Sequence, residues 1–135
     1  MGVKNKKEIS VSTSRRNEFV DVTEEVSKAV KESGIKEGYV HLYVPHTTAA
    51  VTINENYDPS VKSDILNKLS DIVPAGAGYS HAEGNADSHI KATIVGSSEF
   101  IPVTGGDIDL GRWQGIFFCE FDGPRSRRML IQVIE

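Results

Sequence analysis

Several things are scarce in this 135-residue sequence, and each shortage excludes a class of protein. Cys119 is the only cysteine, so the chain cannot form an internal disulfide and suits a reducing compartment. No apolar run approaches the roughly 20 residues that span a membrane, and the N-terminus lacks the apolar stretch of a signal peptide. Basic residues number 15 against 19 acidic ones, which gives no electrostatic footprint for nucleic acid. We therefore expect a cytoplasmic protein that binds neither membrane nor nucleic acid.

What the sequence does contain is the composition of one globular domain. Hydrophobic residues make up 39% and charged residues 25% of the chain, which argues against disorder. A chain of this length builds one core but not two, and no internal repeat divides it. Residues 1–7 are rich in lysine and are predicted to form a flexible N-terminus, and residues 8–135 are predicted to form a single domain.

The spacing of apolar residues predicts both strands and helices. Two short strands precede a first helix, which Thr23 caps and Gly34 ends. Two more strands follow, and Asp58 then caps a second helix that ends before Pro74. A short third helix leads into four further strands, with one hairpin turn at Gly105 and another hairpin loop starting at Asp122.

This order of elements decides the fold class. Strands and helices do not alternate regularly, so a parallel, doubly wound sheet is excluded. We expect an α+β fold: a single domain of mixed, mostly antiparallel, sandwich-like β-sheet with two main helices and one short helix.

The segment GYSHAEGNADSHIKATIVG, residues 78–96, holds two of the four histidines. Asn85 suits the N-cap of the short helix, which should carry Ile90 and Ile94 on one apolar, core-facing side. His89 lies in the first turn or so of this helix, and His81 lies in the loop that leads into it. The segment is either a polar loop opening a helix or part of an active site.

His46 and Glu55 flank the strand that precedes the second helix. His46 follows a strand that ends at a proline, and the hydroxyl of Thr47 beside it offers a further hydrogen bond. Glu55 extends the alternation of Val51 and Ile53, which should face the core. A carboxylate there must be paired, protonated or metal-bound, unless it clears the edge of the sheet and is solvated.

Three histidines from separate elements, His46, His81 and His89, could hold a catalytic zinc ion with one open position. The alternative is that His81 is a solvated loop residue and that His89 fills a helix face. Their eight-residue spacing matches no compact ligand motif such as H-E-x-x-H. Spacing alone leaves both interpretations open.

The C-terminal segment DGPRSRR offers a different chemistry. A turn at Asp-Gly-Pro would present Arg125 and Arg127 from a stiff base, with Ser126 between them. Two guanidinium groups and a hydroxyl make a phosphate clamp, because the planar guanidinium binds oxyanions bidentately. The alternative is a solvated hairpin tip. Trp113 precedes a strand, where an aromatic ring is most often a core residue or a subunit contact.

Taken together, the motifs resemble a known family. The segments HTTAAVTINEN, DPSV, YSHAEGNADSHIKATIVG and IPVTGGDIDLGRWQGIFFCEFDGPRSRR occur in the order typical of the YjbQ family of small uncharacterised proteins, often labelled secondary thiamine-phosphate synthases. The resemblance runs from about Tyr39 to the C-terminus. Ser88 departs from the alanine expected before His89 and adds a hydroxyl at the start of the helix.

The resemblance implies a compact α+β fold that assembles as a homotrimer. It places the recurrent histidines of the family on His46, His81 and His89, consistent with a metal site. It also places polar signature positions on four residues of this chain: Glu55, Asn85, Arg125 and Arg127.

The family label implies that a pyrimidine diphosphate is joined to a thiazole phosphate with release of diphosphate. In this hypothesis the three histidines hold a divalent metal, zinc by ligand type or magnesium by reaction type. Arg125, Ser126 and Arg127 bind phosphate oxygens, Trp113 stacks on an aromatic ring, and Thr47 and Asn85 add substrate contacts.

Two other functions stay open. One is a zinc-dependent hydrolase of a small phosphorylated or anionic substrate, with Asp87 or Glu55 as general base. The other is a non-catalytic, trimeric metal- or metabolite-binding protein.

Overall fold

The computed structural model describes residues 2–135. Within them the elements are, in chain order, β1 (Val3–Ser12), β2 (Glu18–Asp21), α1 (Thr23–Ser33), β3 (Gly38–Tyr43), β4 (Ala49–Glu55), α2 (Pro59–Ile72), α3 (Ala86–Val95), β5 (Ser98–Thr104), β6 (Asp107–Ile108), β7 (Gln114–Glu120) and β8 (Ser126–Ile134). None of the described helices is long and apolar enough to cross a membrane.

The strands form two antiparallel sheets. The larger sheet has the order β1-β8-β3-β5-β6, and the smaller has the order β2-β7-β4. The main hydrophobic core lies between the sheets and includes the buried face of α1. A second apolar cluster joins the other face of the smaller sheet to α2 and α3. The expected α+β fold with mostly antiparallel sheet is therefore confirmed.

The outer face of the larger sheet carries exposed aromatic residues. Tyr39 and Tyr43 of β3 and Phe100 of β5 are 53%, 42% and 62% exposed. They alternate with the buried residues Val40 and Leu42, as the two-residue period of a strand requires. We call this surface the aromatic sheet face.

The predicted ends of the helices are largely confirmed. Asp58 caps α2, since its carboxylate accepts a hydrogen bond from the Ser60 amide at 2.9 Å, and Gly34 ends α1 with φ of 74°. Thr23 does not cap α1. Val22 takes that position, and the Thr23 hydroxyl instead accepts from the Ile116 amide at 2.9 Å.

The start of the chain differs from the prediction. Residues 3–7 were expected to be flexible, but they form the first half of β1 and pair with the end of β8. Asn5 donates to the Ala29 carbonyl of α1 at 3.1 Å, and Lys7 lies 2.8 Å from Glu32. This lysine-rich segment thus pairs with β8 and contacts α1.

The loop at Asp122 also differs, because it does not turn a hairpin. β7 belongs to the smaller sheet and β8 to the larger one, so the chain crosses from one layer to the other between them. This crossing places the segment that follows Glu120 at one end of the sandwich, beside the start of α3.

Candidate functional site

The face that α3 buries is mainly polar, with Ala92 as its one buried apolar residue. Ile90 and Ile94, expected in the core, are 38% and 56% exposed, whereas Asp87, Ser88 and Lys91 are at most 2% exposed. The apolar pattern therefore predicted the existence of the helix but not its orientation.

Hydrogen bonds and ion pairs hold this polar face in place. The Lys91 ammonium donates to Asn17 Oδ1 at 3.1 Å and to Ser70 Oγ at 3.2 Å, and it lies 3.5 Å from Asp87. Arg16 donates to the other Asp87 oxygen at 2.9 Å. Since Asp87 is buried between two cations, it is not available as the general base that the sequence suggested.

The first turn of α3 is fixed to the loop between β7 and β8. The Ser88 hydroxyl donates to the Phe121 carbonyl at 2.5 Å, which gives the departure from the expected alanine a structural role. Asn85 takes the N-cap position of α3 as expected, but its side chain makes no capping hydrogen bond and donates instead to Asp122 Oδ2 at 2.9 Å. The Asn85 Oδ1 atom is buried and finds no donor among residues 2–135.

Asp122 links α3 to an exposed arginine. Arg125 donates to the Asp122 carbonyl at 2.7 Å and to its carboxylate at 2.8 Å. Burial alone would raise the pKa of Asp122, but the Asn85 hydrogen bond and the charges of Arg125 and Arg16 lower it below its ordinary value. Two half-exposed arginines, Arg16 and Arg125, therefore lie at the same end of the molecule.

Sequence reasoning missed Arg16. The sequence signal that could have found it is the pair Arg15–Arg16 in the turn between β1 and β2. Without the fold, such a pair is typical of an ordinary solvated turn. Backbone hydrogen bonds join this turn to the loop after β7, from Gly123 to the Arg16 carbonyl at 3.1 Å and from Thr13 to the Arg125 carbonyl at 3.0 Å.

Arg127 does not lie at the tip of the loop, in contrast to the expected phosphate clamp. Its side chain is buried, with Nε 2.9 Å from Glu120 Oε1 and Nη2 2.8 Å from the Thr48 hydroxyl. Burial would raise the pKa of Glu120, but hydrogen bonds from Arg127, the Asp122 amide and Thr13 lower it overall. Arg127 is a core residue here, whereas Ser126 beside it is exposed.

His81 and His89 lie side by side. Their ring centroids are 5.2 Å apart with the planes nearly perpendicular, and His81 Nε2 is 3.8 Å from Glu83 Oε2. His81 is exposed in the loop before α3, and His89 is half-buried on the helix. The expected proximity of these two imidazoles is thus present.

His46 approaches the same region from the loop between β3 and β4. It lines a cavity of about 470 Å³ together with Thr47, His89, Thr93 and Ser97. Its Nε2 accepts a hydrogen bond from the Arg128 backbone N–H at 3.1 Å. Burial and the charges of Arg127 and Arg128 lower the pKa of His46, which favours the neutral ring at pH 7.

The three histidines therefore form two neighbouring pairs. His89 is common to both, since it shares a cavity with His46 and a ring contact with His81. Across residues 2–135, no group of three histidine, cysteine or acidic side chains is arranged to hold one metal ion. The metal site with three imidazole ligands stays a prediction.

Glu55 and Trp113 lie elsewhere. They line a separate recess of about 670 Å³ with Tyr57 and Asp58, where the Trp113 and Tyr57 ring centroids are 5.1 Å apart. Glu55 is the last residue of β4, and the His46 cavity touches Ala49, the first. At about 3.3 Å per residue the two ends are about 20 Å apart. Within one chain, neither Glu55 nor Trp113 reaches the histidines.

The end of the molecule that carries α3 therefore suits a small anion. Its exposed charges include the guanidinium groups of Arg16 and Arg125, which are paired with Asp87 and Asp122, and the carboxylate of Glu83 beside His81. The imidazoles and threonine hydroxyls supply further hydrogen-bonding groups. An anionic ligand on the arginine side would meet guanidinium donors whose carboxylate partners are already paired, whereas Glu83 is the exposed carboxylate on the His81 side.

Comparison with known proteins gives a consistent assignment. The profile of the family described as UPF0047 protein YjbQ-like matches residues 7–135. A UPF0047 protein of Methanocaldococcus jannaschii is 51% identical over 124 residues, covering 92% of this chain and 90% of that protein. The UPF0047 protein YugU of Bacillus subtilis is 44% identical over 129 residues, covering 95% and 98%.

Solved structures agree in fold. An uncharacterised conserved protein of the YjbQ/UPF0047 family from Clostridium acetobutylicum matches with a TM-score of 0.93 and 48% identity, covering 95% of this chain and 99% of that one. A YbjQ-like protein of unknown function from Sulfolobus solfataricus matches with a TM-score of 0.92 and 37% identity, covering 95% and 94%. Sequence motifs, fold and relatives thus lead to one conclusion: the chain belongs to the UPF0047 protein YjbQ-like family.

Proposed function

We propose that this protein is a cytoplasmic, metal-assisted enzyme that acts on a phosphorylated small molecule at the α3 end of the sandwich. The observation that carries the proposal is a continuous set of contacts. His89 lies on α3, the first turn of α3 is bound to Asp122 through Asn85, and Asp122 holds Arg125. A group that binds beside the histidines is therefore near a guanidinium of fixed position.

The residues fit a metal in part. His81 and His89 are close enough to serve as two imidazole ligands, whereas the Nε2 atom of His46 is occupied by the Arg128 amide. A bound divalent ion, zinc by ligand type, would act as a Lewis acid on a phosphoryl oxygen. The chain itself would bind phosphate oxygens through Arg125 and Arg16.

The specific reaction that we propose is the thiamine-phosphate synthase reaction. The thiazole nitrogen forms a bond to the methylene carbon of the pyrimidine diphosphate, the C–O bond breaks, and diphosphate leaves with the bonding electrons. Negative charge grows on the leaving group, so arginines placed there stabilise the transition state more than the ground state. Arg125 and Arg16 are two of the exposed guanidinium groups at this end of the fold, where Arg15 is exposed as well.

The test is product formation from the two purified precursors in the presence of zinc or magnesium. We expect thiamine phosphate, with Arg125→Ala lowering kcat/KM by roughly 100-fold, the scale found for lost transition-state donors. Arg112→Ala is the matched control, because Arg112 lies over Trp113 at the opposite end of β4. Absence of product above background would exclude the synthase function.

A hydrolase is the second candidate, favoured by the type of ligand. Two imidazoles prefer zinc to magnesium, and a zinc ion with open positions activates water. Asp87 is buried and Glu55 is distant, so neither carboxylate is placed to act as base within one chain. Hydrolysis of a phosphate monoester with zinc, absent with magnesium and lost in His89→Ala, would support this function over the synthase.

We further propose that the chain forms a homotrimer through the aromatic sheet face. Tyr39, Tyr43 and Phe100 are exposed together on a sheet surface, and the rings of Phe100 and His41 stack at 4.6 Å. Contiguous exposed aromatic surface of this kind is typical of protein contacts.

Light scattering after size-exclusion chromatography tests the assembly. The native chain should have three times the protomer mass, and Phe100→Asp should shift it toward the monomer, because a charge would be buried without a partner. Tyr57→Asp is the control, as Tyr57 is exposed but lies outside this face. A monomeric native chain would refute the assembly.

A further inference from the structure

We infer that His46 is a fixed hydrogen-bond donor for a phosphate oxygen in the cavity beside α3, and that it is not a metal ligand. The inference deepens the proposed function and rests on it for the anionic nature of the substrate. It assigns to His46 a binding role different from the one implied by family resemblance.

A backbone hydrogen bond fixes the tautomer of the His46 ring. The Arg128 backbone N–H donates to His46 Nε2 at 3.1 Å. A backbone amide can only donate, so Nε2 carries no hydrogen and its lone pair is engaged. A neutral imidazole has one N–H, which must then be on Nδ1.

This tautomer leaves His46 without a nitrogen for a metal. Ligation requires a free lone pair, but the Nε2 lone pair accepts from Arg128 and Nδ1 is protonated. A metal-ligating histidine ordinarily donates its other N–H to a carboxylate or carbonyl. His46 has the opposite arrangement, because its hydrogen-bonding partner, the Arg128 amide, is a donor.

The lining of the cavity determines the class of ligand. His46 lies in it with the hydroxyl groups of Thr47, Thr93 and Ser97, and no carboxylate is among the described residues that line it. Arg128, whose amide holds the ring, lies in β8 opposite Ser10 of β1, so the backbone that fixes His46 is itself fixed by the larger sheet. A volume of about 470 Å³ accommodates a phosphorylated small molecule.

Two substitutions separate the two nitrogens of His46. In His46→Asn the amide group occupies the place of Nδ1 and can still donate to the ligand. In His46→Gln the amide oxygen reaches the place of Nε2 and can still accept from Arg128, but no donor remains at Nδ1. The first variant therefore preserves the proposed function of the ring, and the second preserves only its structural contact.

Inorganic phosphate is the probe, titrated into protein freed of metal with a chelator and observed by NMR. We expect His46→Gln to weaken phosphate binding about tenfold or more, the effect of losing a charge-assisted hydrogen bond, and His46→Asn to stay within about threefold of the native chain. His41→Gln, on the aromatic sheet face, is the control and should change nothing. Equal loss in both His46 variants, or no phosphate binding by the native chain, would overturn the inference.

Nitrogen-15 NMR of the histidine rings tests the tautomer independently. The resonances of His46, assigned with His46→Gln, should show a protonated Nδ1 and an unprotonated Nε2, and one equivalent of zinc should leave them unchanged. A protonated Nε2, or a metal-bound nitrogen on adding zinc, would refute the assignment. These measurements do not require turnover, so failure of the synthase assay and failure of this inference are distinguishable.

Discussion

Individual charged side chains in this protein are buried in pairs. Glu120 is fully buried and is bound by Arg127 and Thr13, each of which is at least 92% buried. Removing one member of such a pair leaves an uncompensated charge in the interior, which costs far more than the intact pair contributes. The segment DGPRSRR therefore contains two arginines in different environments, Arg127 in the core and Arg125 at the surface.

Replacing each of these arginines should show the difference. Arg127→Ala is expected to lower the free energy of unfolding by about 3 to 5 kcal/mol, because it leaves Glu120 unpaired. Arg125→Ala, the matched control, is expected to cost at most about 1 kcal/mol, since the Arg125 guanidinium is half-exposed and Asn85 still donates to the Asp122 carboxylate. Urea denaturation followed by circular dichroism measures both. Similar losses would contradict the burial of Arg127.

Glu120 also predicts a pH dependence of stability. Its pKa in the folded protein is lowered, because hydrogen bonds from Arg127 and its neighbours outweigh the opposing effect of burial. A carboxyl group with a depressed folded pKa stabilises the fold above its unfolded pKa and loses that contribution as the pH falls through the folded pKa. The unfolding free energy should therefore decline below about pH 4.5, and more gently in Glu120→Gln. An identical decline in both proteins would refute the assignment.

For individual residues, the sequence predicted which side-chain types occur near α3 better than it predicted which residues contact one another. It singled out His81 and His89, which do lie together, and Arg125, which is exposed near α3. It could not separate Arg127 from Arg125, because residues two apart face the same side of a regular strand, and only the structure shows that β8 begins at Ser126 and leaves Arg125 in the loop before it. Arg16 was missed for a related reason: its contact with Asp87 spans 71 residues.

Among the elements, α3 is the least ordinary. A helix normally buries its apolar stripe, but α3 buries Lys91 and Asp87 and exposes Ile94. The reason is that its polar side chains reach hydrogen-bonding partners on the β1–β2 turn and α2. Its apolar pattern correctly predicts helical structure, whereas its orientation follows from partners that are distant in sequence.

In α3, replacing a polar residue should destabilise the fold more than replacing an apolar one, which is the reverse of the usual order. Lys91→Ala is expected to destabilise the fold by about 3 to 5 kcal/mol, since it removes a buried ammonium with three partners. Ile94→Ala should cost about 0.5 kcal/mol or less, as is typical of exposed positions. Chemical denaturation of the two variants provides the comparison. A larger loss for Ile94→Ala would show that α3 buries its apolar face after all.

For the molecule as a whole, local stability should differ between the two sheets and the helices. Residues 115–120 of β7 are all buried in the middle of the smaller sheet, whereas α2 has no fully buried residue. The order of elements in the sequence was enough to predict the fold class. It was not enough to predict that β7 and β8 lie in different sheets, because a short loop with glycine and proline is equally typical of a hairpin.

Hydrogen exchange monitored by mass spectrometry should reveal this gradient. Amides of β7 are expected to exchange most slowly, those of α1 at an intermediate rate and those of α2 fastest among the helices, because local opening follows the amount of buried contact. α1, which buries Val26, Ala29 and Val30, serves as the internal comparison. Equal protection of α2 and β7 would mean that the helix opens only with the whole fold.

The position of β8 in the larger sheet has a consequence for synthesis on the ribosome. β8 lies between β1 and β3, so the first and third strands to be made are separated by the gap that the eighth must fill. In a nascent chain that has emerged only as far as β7, β1 and β3 therefore each have an edge without the strand that pairs with it. Closure of this sheet must wait for β8, and until then the growing chain offers a binding surface to chaperones.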